Sequence, residues 1–162
     1  MVFARRALPD DAREVLRLRQ VMLDAVHPGR TPSDPGGTPE WHAGALEPLR
    51  RRLADKDGDF AAFVVDHPEN PGALASLAVG QIGYHIGGPD NPGGLDGHVF
   101  SVATDPDARR RGYSRACVEL LLSWFREQGC GRAGLTASAD AEPLYTSLGF
   151  VPNPYPSMRL VF

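Results

Sequence analysis

The stretch Arg109-Arg110-Arg111-Gly112-Tyr113-Ser114 most constrains this chain, because a basic glycine turn leads directly into a long amphipathic helix. A helix N-terminus carries about +0.5 elementary charge and up to four unpaired N–H groups, so it favours acidic residues. Three arginines therefore repel the dipole unless an anion lies among them. Gly112 allows a ligand to approach the backbone, and Ser114 leaves space on the same turn. We predict a phosphate-binding helix start; a solvated basic loop is the alternative.

The segments around this turn follow the order strand, turn, helix. Residues 98–104 predict a strand, and Gly129 predicts the helix end. No G-x-x-x-x-G-K-[ST] motif occurs, and the G-x-G-x-x-G at 129–134 follows a helix, the reverse of a dinucleotide fingerprint. The buried face of the helix is marked by apolar residues at helical spacing, namely Tyr113, Ala116, Cys117, Leu120, Leu121, Trp124 and Phe125.

Length and composition predict one domain over residues 1–162. With 42% hydrophobic and 23% charged residues, the chain resembles an ordinary soluble globule. Its net charge of −3 argues against a nucleic-acid binder. We find no signal peptide and no apolar run long enough for a membrane span. Two cysteines form neither a disulfide framework nor a metal pattern, so we expect a cytoplasmic protein without a metal.

Periodicity and turn residues predict the element order β-α-α-β-β-β-α-β-α-β. Two Pro/Gly-rich loops, 27–38 and 87–97, are too long for simple connections. The predicted strands cover residues 2–7, 59–66, 73–86, 98–104, 133–137 and 157–162, and the helices cover about 9–25, 39–54, 113–127 and 140–148.

Two motifs carry a resemblance to a known family. Asp105-Pro106 followed by Arg109-x-x-Gly112-x-Ser114 resembles the acyl-CoA-binding motif Q/R-x-x-G-x-G/A of the GNAT N-acetyltransferase superfamily. Residues 141–150, AEPLYTSLGF, resemble its A-x-x-L-Y-x-x-L-G-F segment. One helix and one strand separate the motifs, as in that family, and the element order extends the resemblance over nearly the whole chain. It implies a single-domain α/β fold with a mixed, mostly antiparallel sheet flanked by helices.

The resemblance also implies a binding site for acetyl-CoA as acyl donor. The backbone of residues 110–115 would hold the pyrophosphate, and the edge of the strand at residues 102–104 would pair with the pantetheine amides. Ser114 departs from the usual Gly or Ala, and Ser138 stands where many members carry Asn. The predicted cofactor-binding residues are Val102, Ala103, Thr104, Arg109, Arg110, Arg111, Gly112, Tyr113, Ser114, Arg115 and Ser138.

No Ser-His-Asp or Cys-His arrangement is evident, so we expect direct transfer of the acetyl group to a primary amine. Periodicity alone favours Tyr145 as a core residue, whereas the resemblance implies that it protonates the leaving thiolate. His98 is the predicted base, because imidazole titrates near neutral pH, and a purely structural histidine is the alternative. His85 is the second choice. The remaining histidines, His27, His42 and His67, are interpreted as surface residues.

The acceptor is expected to be a small-molecule or peptide amine. Trp41, Tyr84 and the loops 27–38 and 87–97 are predicted to border its site. The identity of the amine, the acyl-chain preference and homodimer formation stay open at this point. An alternative function is a degenerate acyl-CoA-binding module that senses the donor without turnover.

Overall fold

The structure is a computed structural model, and it describes residues 3–27 and 38–162. Its regular elements fold around one five-stranded sheet. In chain order they are β1 (Arg5–Arg6), α1 (Ala12–Val26), α2 (Trp41–Ala54), β2 (Phe60–Asp66), β3 (Leu74–Tyr84), β4 (Leu95–Thr104), α3 (Tyr113–Glu127), β5 (Arg132–Leu135) and α4 (Glu142–Ser147).

The strands lie in the sheet in the same order as in the chain, β1-β2-β3-β4-β5. The first four are antiparallel neighbours, whereas β5 runs parallel to β4 after the α3 crossover. This arrangement confirms the predicted single-domain α/β fold with a mixed, mostly antiparallel sheet. Across the described residues, none of the helices has the length and apolar character needed to span a bilayer.

Helices cover the sheet on both faces, and each face has its own apolar core. On one face, Leu121 and Phe125 of α3 pack with Val99 of β4. The approach is close enough that a Cβ atom at Gly97 would lie 2.6 Å from the Phe125 ring. On the other face, α1 and α2 pack on β2 and β3 through residues such as Leu18, Leu53 and Leu77. The sheet is therefore a rigid floor between two helical layers.

A β-bulge changes the course of β4. Two residues of β4, Ser101 and Val102, lie opposite a single residue of β3, and the φ of Ser101 is 51°. Arg19 of α1 donates a hydrogen bond to the Ser101 hydroxyl. Pairing of β4 with β5 ends at Val99 and Leu135. Because a bulge bends and twists its strand, β4 separates from β5 at this point.

The prediction of a strand at residues 157–162 is wrong. The structure has no strand there, and the tail is exposed. The preceding Pro152, Pro154 and Pro156 lack N–H groups, so this stretch cannot donate a regular ladder to a neighbouring strand. The first strand is shorter than predicted, and residues 1–2 lie outside the described part. The other predicted elements are confirmed with end shifts of a few residues.

The two long loops have different outcomes. Residues 28–37 of the first lie outside the described residues. In the second, β4 begins already at Leu95, so the connection is shorter than predicted. The Asn91 side chain explains the shift, since its amide donates to the Leu95 carbonyl oxygen at 3.0 Å and to Asp96 at 2.6 Å. This segment is a compact turn built around a buried asparagine.

Candidate functional site

The basic turn before α3 has the geometry of an anion-binding loop. Arg110 and Gly112 have left-handed φ angles of 65° and 80°. The first backbone hydrogen bond of α3 runs from the Ala116 N–H to the Gly112 carbonyl at 3.1 Å. The amides of residues 112–115 have no acceptor among the described residues. Such free, converging N–H groups favour a bound anion such as a phosphate.

The arginines of the turn divide into two that brace it and one that does not. The Arg109 Nε donates to the Thr104 carbonyl at 3.4 Å, and Arg111 donates to the Asp107 carbonyl at 3.3 Å. The Arg110 side chain forms no hydrogen bond within the described part of the chain, and all three residues are exposed. The turn therefore surrounds its free amides with positive charge.

Hydroxyl groups connect the first turn of α3 to the end of β4. Ser114 and Thr104 share a hydrogen bond of 2.6 Å, and Thr104 shares another of 2.8 Å with the buried Ser76. The Ser114 hydroxyl, a departure from the family motif, thus fixes the helix start to the sheet. Arg115, in turn, pairs with Glu119 at 3.2 Å and donates to the Ser147 hydroxyl of α4.

The predicted pantetheine edge lies where β4 has separated from β5. Beyond the bulge, Ala103 and Thr104 pair with β3 on one side, and no strand of the described residues pairs on the other. An open strand edge can hydrogen-bond an amide-bearing arm as it would a peptide strand. The structure brings residues 102–104 together with the turn at 109–115. Ser138 lies apart from both on the chain, exposed before α4, where its carbonyl accepts from the Ala141 and Glu142 amides.

Tyr145 lies in the core on the α3 face. It is 6% exposed and meets the Phe150 ring edge-to-face at 5.8 Å. Val102 of β4 and Leu135 of β5, one from each of the separating strands, pack against the same apolar cluster. The hydroxyl has no hydrogen-bond partner within residues 3–27 and 38–162, and burial raises the pKa of this phenol. Tyr145 is therefore a protonated, uncommitted donor beside the opening.

His98 lies on the opposite face of the sheet from Tyr145. Its ring stacks on Phe100 at 5.8 Å and lines a cavity of about 720 Å³ at the joined part of β3, β4 and β5. His85, the second choice of base, lines the same cavity. The opening between β4 and β5 begins just beyond Val99, so it connects the faces that carry Tyr145 and His98.

The structure corrects two of the three histidines interpreted as surface residues. His42 and His67 are buried, and only His27 is exposed. His42 packs edge-to-face on Trp41 at 4.2 Å, and burial lowers the pKa of the His42 imidazole. His67 lies 3.2 Å from an Asp107 carboxylate oxygen. His42 lies in the first turn of α2, and His67 directly follows β2, and neither position indicated burial from the sequence.

Neither Trp41 nor Tyr84 lines the cavity, so the border predicted for the acceptor stays a prediction. The Trp41 indole N–H donates to Gln20 at 2.9 Å, and Tyr84 is exposed at the end of β3. The sequence interpretation missed Asp96 and Arg132, which do line the cavity. The alternation of Asp96 and His98 along β4 was the available signal, since such residues share one face of a strand.

One group of potential metal ligands lies behind the basic turn. His67, Asp105 and Asp107 place ligand atoms within 4.8 Å of one another. However, both Asp105 oxygens accept hydrogen bonds from Arg17, at 2.8 and 2.9 Å. The Asp105 carboxylate is therefore committed to a structural ion pair, and the absence of a metal stays a prediction.

Similarities to known proteins agree with this geometry. Over 115 residues, 69% of this chain, the sequence is 32% identical to a mycothiol acetyltransferase of Thermobispora bispora, and it spans 37% of that protein's length. A GCN5-related N-acetyltransferase from Ralstonia eutropha is 25% identical, with 99% of both chains covered and a TM-score of 0.74.

A predicted acetyltransferase from Clostridium acetobutylicum, solved with acetyl-CoA, has the same fold at 17% identity. Its TM-score is 0.76, with 98% of this chain and 96% of that one covered. The model of the acetyltransferase (GNAT) family matches residues 23–150. This match includes the basic turn, the separated strands and Tyr145. The chain therefore belongs to the acetyltransferase (GNAT) family.

Proposed function

We propose that this protein transfers an acetyl group from acetyl-CoA to a primary amine, directly and without a covalent acyl-enzyme. The observation that carries the proposal is the separation of β4 from β5 beside the basic turn. It offers an open strand edge for the pantetheine arm and free amides for the pyrophosphate at one end of the sheet. The membership of the GNAT family, whose donor is acetyl-CoA, supports the same donor here.

The residues on the two faces of the sheet have complementary roles in this reaction. The neutral amine attacks the thioester carbonyl carbon, and the tetrahedral oxyanion collapses with loss of the CoA thiolate. Tyr145 donates its phenolic proton to that thiolate. His98 accepts the proton that the new ammonium group releases, either directly or through a water molecule. Burial raises the pKa of the Tyr145 phenol further, so the hydroxyl holds the proton that this role requires.

Turnover and binding assays test this proposal. Acetyl-CoA is incubated with the protein and a panel of primary amines, and released CoA thiol is measured together with the mass of the acetylated amine. We expect a product that is 42 mass units heavier than the acceptor in about 1:1 ratio with released thiol, as direct transfer requires. Thiol release without an acetylated amine would mean hydrolysis and would contradict the proposal.

CoA binding measured by calorimetry, taken together with the turnover assay, separates the enzyme from the alternative, a donor-sensing module. An enzyme binds CoA and turns over in the panel, whereas a sensing module binds CoA with no turnover in any amine. Retention of an uncommitted Tyr145 beside the opening favours the enzyme, because a binding module has no use for a proton donor there.

A further inference from the structure

The cavity on the acceptor side has a floor made of two cross-strand rows. In the first row Gln81, His98 and Gly134 are neighbours on β3, β4 and β5. In the second row Gly83, Asp96 and Arg132 occupy the same three strands, two residues further from the opening. Gly97, which lies between the two rows on β4, faces α3, since a Cβ atom there would meet the Phe125 ring. Every polar side chain in these rows therefore belongs to the same open surface.

The Asp96 carboxylate accepts its hydrogen bonds from within the protein, mainly from Arg132, and is not available to a ligand. The two carboxylate oxygens accept hydrogen bonds from the Arg132 Nε and Nη2, both at 3.0 Å. Asn91 donates to the same carboxylate at 2.6 Å, and the His85 Nε2 lies at 3.9 Å. The Arg132 hydrogen bonds hold the pKa of Asp96 below its usual range. Asp96 thus stays ionised and fixes the plane of the guanidinium.

Arg132 keeps an unused set of donors toward the cavity. Its Nη1 has no partner among the described residues, and the side chain is 63% exposed. A guanidinium held on one edge by a carboxylate presents its other edge as a planar pair of donors, which matches a second carboxylate. His85, on the other side of Asp96, adds a further donor beside the second row.

We propose that Arg132 binds an anionic group of the acceptor amine, so that the acceptor is an amino acid of extended length. This inference rests on the proposed function, because that function places the acceptor amine at the row that contains His98. The two rows are separated by two residues, or about 7 Å along the strands. A linear ω-amino acid or a dipeptide spans that distance. An α-amino acid, whose amine and carboxylate share one carbon, is too short to reach both rows.

Two probes that differ in one group test the anion subsite. We use 6-aminohexanoate and its neutral amide, 6-aminohexanamide, with the full chain saturated with CoA. Calorimetry should give at least about tenfold tighter binding of the carboxylate, as expected of a charge-assisted bidentate contact. The Arg132→Gln variant should bind both probes equally weakly. Arg126→Gln, which removes an exposed arginine of α3, is the matched control and should keep the preference.

Two further variants protect the test against a folding defect. Arg132→Lys retains the charge without the planar pair of donors, so it should keep only part of the preference. Gly134→Val fills the floor of the first row, where a Cβ meets no atom within 4 Å, and should exclude both probes. Thermal denaturation verifies that each variant is folded.

Acetylation of the same probes distinguishes the two proposals. If 6-aminohexanoate binds in an Arg132-dependent way and no amine is acetylated, the anion subsite stands and the proposed enzyme function fails. If the two probes are acetylated with equal efficiency and Arg132→Gln changes the acetylation of the two probes alike, the proposed enzyme function stands and the anion subsite is overturned. Wild-type protein that binds neither probe, or both equally, overturns it as well.

Discussion

The two ends of β4 perform different tasks although they belong to one strand. From Asp96 to Val99, β4 has neighbours on both sides, so its backbone groups are used within the sheet. Beyond the bulge, Ala103 and Thr104 pair with β3 alone among the described residues, and the free edge lies beside the basic turn. At the joined end only side chains are available to a ligand, whereas the separated end offers backbone groups.

This difference follows from the extra residue in the bulge at Ser101 and Val102. The bulge bends β4 away from β5. The loss of strand pairing therefore begins between His98 and the edge that we predict for the pantetheine arm. In the proposed reaction the donor site is built from amides, which most sequences supply, while the acceptor site would depend on the His98 and Arg132 side chains. We infer that the donor end is sensitive to changes that block its backbone amides, whereas the acceptor end is sensitive to the loss of particular side chains.

The largest expected effect is at the separated end, in Gly112→Asp. The new carboxylate would stand at the amides that we assign to the pyrophosphate, and the residue would have to adopt a φ of 80°. CoA binding measured by calorimetry should fall by more than about 10²-fold, since like charges repel and the left-handed backbone disfavours a side chain.

Gly112→Asn is the matched control, because asparagine has the same shape as aspartate, tolerates the left-handed region and carries no charge. It should weaken CoA binding much less than Gly112→Asp. Equal binding by the two variants would assign the effect to backbone strain alone and remove the charge argument for this turn.

The next effect concerns Tyr145, between the two ends. Tyr145→Phe removes the hydroxyl and leaves the ring packed against Phe150. Turnover should fall by about 10²–10⁴ while CoA affinity stays nearly unchanged, as expected of a general acid. A Tyr145→Phe protein as fast as wild type would leave positioning as the main source of rate.

Sequence patterns predicted the features that depend on local chemistry. The glycine and arginine spacing identified the turn at 109–114, and helical periodicity identified α3. The bulge at Ser101 was not predictable, because it is defined by pairing with β3, a contact distant in sequence. The cavity was missed for the same reason, since the Asp96–Arg132 pair joins two strands that α3 separates. The absent strand at 157–162 shows that an apolar segment needs a partner edge as well as a propensity.

At the joined end, His98→Gln tests the proposed base. If the His98 imidazole accepts the ammonium proton, the rate of wild type should rise with pH through a single step, as general-base catalysis requires. His98→Gln should remove this step and lower the rate above it by about 10²-fold. His85→Gln is the matched control within the same cavity and should keep the step. A variant of His98 with reduced stability and an intact pH profile would instead assign the residue a structural role.

The smallest effect should be on stability, from Asp96→Asn. The pKa of Asp96 is lowered in the folded state, chiefly by hydrogen bonds from Arg132. A lowered folded-state pKa means that the carboxylate stabilises the fold above its unfolded pKa, near 4, and that this contribution is lost as the pH falls through the folded value. Wild type should therefore exceed Asp96→Asn in Tm at pH 7, and the gap should close in acid.

Because the pair is largely exposed on its Arg132 side, the gap should amount to a few degrees at most. Thermal denaturation followed by circular dichroism from pH 7 to pH 3 measures it. A gap that stays constant over this range would mean that Asp96 acts through its shape and its contact with Asn91. The joined end of β4 would then owe none of its stability to the charge of this carboxylate.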